Sequence, residues 1–155
     1  MNASAATPRV TAHRAVRPST VVAGLLAFAA VQIGLAVFMA VAPHRFYIAI
    51  GPFGARNDHY VRDVASYNAA LGIALLIAVR QPSWRVPVLG VMTIQFALHS
   101  FNHLLDISRA DPGWVGYFDF FALAAATLQL AALTWMALAL ARAGISAHIS
   151  QGGPT

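Results

Sequence analysis

Residues 20–42 read TVVAGLLAFAAVQIGLAVFMAVA, a stretch with no charged side chain. About 20 consecutive apolar residues suffice to cross the hydrocarbon core of a bilayer. A helix is the natural form for such a run, because it satisfies every backbone polar group internally where no water can. Three further apolar segments follow, at about 60–79, 86–107 and 112–141. Short connections leave consecutive helices adjacent, so the expected fold is all-α: an integral membrane four-helix antiparallel bundle. Ala23, Ala27, Ala30 and Gly34 recur in the first segment at the spacing that lets helices approach closely in lipid. Ala40-Val41-Ala42 resembles a small-residue cleavage site. The apolar run is longer than a usual signal core and Pro43 would follow the cut, so an uncleaved first helix is expected.

Composition agrees with this reading. Hydrophobic residues make up 59% of the 155 and charged ones 10%, with mean hydropathy +0.65. That excludes an ordinary soluble domain. All ten basic residues are Arg and all five acidic ones Asp, a usage that suits a GC-rich, bacterial genome. The pI near 10.8 would suggest nucleic acid. The Arg residues instead punctuate the ends of apolar runs, so topology explains them and no nucleic-acid partner is expected. The absence of Cys excludes disulfides, thiolate metal sites, Fe–S clusters and c-type haem attachment.

Outside the bundle (20–142), residues 1–19 read as a disordered cytoplasmic tail and 143–155 as a flexible one. With the N-terminus inside, cytoplasmic segments carry Arg9, Arg14, Arg17, Arg80, Arg85 and Arg142 with no acid. The opposite side carries Arg45, Arg56, Arg62 and Arg109 with all five Asp. The positive-inside rule then gives N-in, C-in in the cell membrane. Pro43 to Asn57 reads as an aromatic and Gly-rich outer loop, and Asn57 or Asp58 as a cap for the second span. Arg80 to Arg85 reads as a basic turn, and Asp111-Pro112 as the start of the fourth span.

The third span ends in polar residues. His99, His103 and Asp106 lie at i, i+4 and i+7, which at about 100° per residue fall within roughly a 60° arc. Gln95 and Asn102 flank that arc. On the same outer side the second span opens with Arg62, Asp63 and Tyr67, and the fourth with Tyr117 and Asp119. Ionisable groups at this depth are costly and face the bundle interior or a water-filled cavity. The set is therefore expected to converge on one outward-facing pocket.

Three chemistries suit it. His99, His103 and Asp106 could share a divalent transition metal, completed by Asp63 or Asp119. The same groups could form a metal-free proton relay or small-ligand pocket, with His titrating near neutrality. They could also be a structural network, with Arg62 or Arg109 neutralising Asp106 and Asn102 and Gln95 bonding across helices. Haem b is disfavoured, because bis-His ligation in a bundle normally draws on two helices and the deep His pair here lies on one. No serine has a nucleophile context, which argues against an acyl-transfer enzyme.

The layout of short-looped helices, Arg62-Asp63 opening the second span and His/Asp near the end of the third, resembles the small DoxX-like membrane proteins. The resemblance covers the second to fourth spans. Some members are similar to subunits or partners of membrane oxidoreductases, which implies no defined reaction here. Lacking Cys and Glu, this chain cannot inherit a thiol- or Glu-based role. The expected function is a non-enzymatic membrane protein whose outer pocket binds a metal ion or small ligand. The alternatives are an accessory subunit of a larger membrane complex, such as a respiratory one, and a small membrane enzyme or redox partner. A homodimer is also expected, from small residues such as Ala125 and Ala132 on more than one face of the fourth span.

Overall fold

The computed structural model describes residues 16–151, with side chains to Ser146. The tail at 1–19 lies outside the described residues as far as residue 15, and so do 152–155. Five helices make up the described chain, with no strands among the described residues: α1 Pro18–Val41, α2 Pro43–Ala49, α3 Asp58–Arg80, α4 Pro82–Leu105 and α5 Trp114–Gln151. All but the short α2 are long and apolar enough to cross a membrane.

The helix limits follow from local chemistry. Asn57 caps α3, its side-chain oxygen accepting from the N–H groups of His59 and Tyr60. At the other end of α3, Arg85 donates from Nε and Nη2 to the carbonyls of Ala78 and Val79, both at 3.2 Å. These carbonyls belong to the last turn, which has no helical partner of its own. The segment 80–85, expected as a turn, already belongs to α4 from Pro82, since proline is tolerated in a first helical turn. Pro43 likewise starts α2 within what was expected as loop. Asp111-Pro112 precedes the fourth apolar helix, which begins at Trp114. That helix continues through the expected flexible segment at 143–151, where Gly144 alone, at about 1 kcal/mol, is too small a penalty to end it.

Helix α1 packs chiefly on α3, and α4 on α5, while α1 and α5 touch only lightly. The core joins Val21, Leu25 and Ala29 to Leu75, Leu89, Met92, Leu130 and Leu133. It fills the half of the bundle nearest the α3–α4 turn. Close approach of α1 and α3 depends on Gly72, where an added Cβ would lie 2.6 Å from Ile33 Cγ1. The small residues singled out in α1 do not make this contact: Ala23, Ala27, Ala30 and Gly34 are exposed. The buried stripe is instead Val21, Leu25, Ala29, Gln32, Ala36 and Met39. Spacing reveals a common face, but which face turns inward depends on the neighbours.

Two hydroxyl pairs join α4 to α5: Thr93 with Thr134 at 3.0 Å and Ser100 with Thr127 at 3.2 Å. Each hydroxyl also lies within donating distance of the carbonyl four residues back in its own helix, and the two protons of a pair serve two of these three bonds at a time. At the far end an isolated antiparallel bridge pairs Phe53 with Ala110, and Asp111 N–H donates to Pro52 O at 3.3 Å. The α2–α3 and α4–α5 connections are thereby tied together across the end of the helices.

Candidate functional site

Beyond the core the helices frame a half-open cavity of about 450 Å³. Helix α1 contributes Gln32 and Met39, α3 Val64 and Asn68, α4 Phe96, His99 and His103, and α5 Phe118 and Asp119. Phe46 of α2, and Ile50 and Phe53 beyond its end, line the outer end of the cavity. The walls are mainly apolar, with five polar side chains among them.

The two imidazoles stand one turn apart with ring centres at 4.8 Å. Phe53 meets the His103 ring edge to face at 4.9 Å, which links the end loop to the site. Asp119 is only 9% exposed. It lines the cavity together with His103. Among the described residues, Asp119 Oδ2 and His103 Nδ1 are buried and have no hydrogen-bond partner. The great majority of buried polar atoms are paired, so two orphans on residues that line one cavity are an exception that needs a reason.

His99, His103 and Asp119 are thus the sequence-derived candidates that the fold gathers. The others lie elsewhere. Asp106 ends α4 as its C-cap and pairs with Arg109 at 3.2 Å, as one structural reading expected. Arg62 is exposed, and Asp63 reaches His59 at 3.5 Å on the surface. Tyr67 and Tyr117 are about half exposed, at 46% and 54%. Asn102 is exposed as well; its position lies roughly 80° around α4 from Met92, against about 20° for His99 and His103. Gln95 is half-buried and its Oε1 is unpaired, so it does not bridge helices. The cross-helix bonds come from the hydroxyl pairs instead.

The metal expectation fails on placement. Among the described residues no three His, Cys, Asp or Glu side chains stand where they could share an ion. Asp106 belongs to the helix end and Arg109, and Asp63 to the outer surface of α3. Asp119 and the two imidazoles line one cavity, but not in an arrangement that could hold a common ion.

Gln32 was not singled out from sequence. It is 1% exposed, and its amide has only a weak contact at 3.9 Å, to Met92 Sδ. The available signal was a lone amide in the middle of a charge-free span, which in lipid turns toward protein for the same reason that an ionisable group does. No protein-family model, curated protein or solved structure matches this chain.

Proposed function

We propose that this is a small multi-pass protein of the cell membrane whose pocket binds a small, mainly apolar molecule through one hydrogen-bonding end. The observation that carries this is the pair of orphaned atoms, Asp119 Oδ2 and His103 Nδ1, on side chains that line one largely apolar cavity. Binding sites of this kind are mostly apolar with a few placed polar groups. A network serving only to fix helix register would satisfy its own members. Here the register-fixing role falls to the Thr93–Thr134 and Ser100–Thr127 pairs, leaving His103 and Asp119 uncommitted.

In this reading the four spans run antiparallel, N-in and C-in, with the pocket on the outer side. The hydroxyl pairs support the α4–α5 direction, since the partner number falls from 134 to 127 as the other rises from 93 to 100. The Arg asymmetry supports the orientation.

Benzyl alcohol, an aromatic body with one hydroxyl, tests the pocket in detergent-purified protein by equilibrium binding. Saturable binding to the wild type, lost in a cavity-filling Ala126→Phe variant that still unfolds cooperatively, is the expected result. Equal binding to both, or none to the wild type, overturns the reading.

A second reading, an accessory subunit or homodimer, draws on the exposed small residues. Ala23, Ala27 and Ala30 of α1 and Ala125 and Ala132 of α5 all lie on the outside of the helices. Close backbone approach at such residues drives association in lipid.

A further inference from the structure

Asp119 also decides the sign of charge that the cavity accepts. It is nine-tenths buried, carries an oxygen without a hydrogen-bond partner, and is the sole carboxylate among the lining residues. Among the described residues no Arg lines the cavity; Arg109 is committed to Asp106, and Arg62 is exposed. The other titratable groups facing Asp119 are His99 and His103 of α4. The facing residues of α1 and α3 contribute only neutral amides, Gln32 and Asn68, and those of α2 are apolar. An anion entering this space would meet a carboxylate and no fixed cation. Phe46, Phe53, Phe96 and Phe118 add aromatic surface, and aromatic rings attract cations through their quadrupole.

We infer that the pocket takes a lipophilic organic cation: an amine or quaternary ammonium on an aromatic or alkyl body, with Asp119 as its counter-ion. The inference rests on the pocket reading above and specifies its ligand class. Protons compete with such a ligand in either place they bind. Protonated Asp119 loses its charge, and a protonated His99 or His103 adds a repelling one. Affinity for the cation therefore rises with pH, by at most about tenfold per pH unit for each proton displaced.

Three probes of similar size separate the possibilities in non-ionic detergent: benzyltrimethylammonium, its neutral isostere neopentylbenzene, and the anion benzylsulfonate. The cation is expected to bind about tenfold or more tighter than the neutral isostere. That preference should weaken as pH falls and vanish in Asp119→Asn, while the isostere keeps its affinity throughout. If the isostere binds the wild type as tightly as the cation, or cation affinity does not change with pH, the cation inference is overturned while the pocket reading stands. If none of the three binds and benzyl alcohol does not bind either, both fall. The wild-type comparisons decide the matter even if Asp119→Asn does not fold.

Discussion

The α1–α3 contact makes a prediction whose sign is set by geometry. A Cβ placed on Gly72 would stand 2.6 Å from Ile33 Cγ1, 3.3 Å from Ile33 N and 3.4 Å from Ala29 O. Ordinary contacts begin near 3.4 Å, so the first distance must lengthen by 0.8 Å, the difference between 3.4 and 2.6. Ile33 cannot simply swing away, because the added methyl also presses on the backbone of α1. Overpacking of this kind costs about 1–3 kcal/mol. Replacing a helical glycine by alanine returns at most about 1 kcal/mol. Gly72→Ala should therefore destabilise the protein by about 1 kcal/mol. Gly34→Ala, with nothing within 4 Å of its Cβ, should leave stability unchanged or raise it by up to about 1 kcal/mol. Reversible unfolding in mixed lipid–detergent micelles measures both. Ile33→Ala combined with Gly72→Ala should show favourable coupling, because truncation removes the clashing atom. Gln32 and Asn68 flank this contact and line the cavity, so a forced separation should also weaken benzyl alcohol binding. Equal stability of Gly72→Ala and Gly34→Ala would refute the close approach of α1 and α3.

Three further outcomes are expected. In intact cells, a Cys at Ala55 should react with a membrane-impermeant thiol reagent and one at Ser150 should not; the reverse pattern inverts the orientation. Ala55 is preferable to Gly54, whose φ of +64° disfavours a side chain. Double-mutant cycles of Thr93→Val with Thr134→Val, and of Ser100→Ala with Thr127→Val, should each give a coupling of about 0.6 kcal/mol, and zero coupling would remove the hydroxyl pairs from the account. If the exposed alanines of α5 form an interface, light scattering in mild detergent should find a dimer or larger assembly that Ala125→Leu and Ala132→Leu shift toward monomer; a monodisperse wild-type monomer with no copurifying partner sinks that reading.

Sequence alone was enough to show four apolar helices long enough for a membrane, because lipid imposes one strict rule that composition and run length reveal directly. It also pointed to His99, His103 and Asp119, since an ionisable group in a span turns toward protein or a cavity. Helix rotation and helix ends were not legible in this way. Asp63 and Tyr67 share a face, but the buried positions of α3 are Ala65, Gly72, Leu75 and Ala78, and that shared face turns outward. Asp106 continues the angular pattern of His99 and His103, yet the helix ends at Leu105 and the pattern no longer governs where its side chain goes. Gln32 carries no charge to betray its position, and only packing against α4 put it beside Met92. Tertiary structure alone decided which polar groups pair with each other, and so that two of the described residues lining the cavity, His103 and Asp119, were left with an unpaired buried atom.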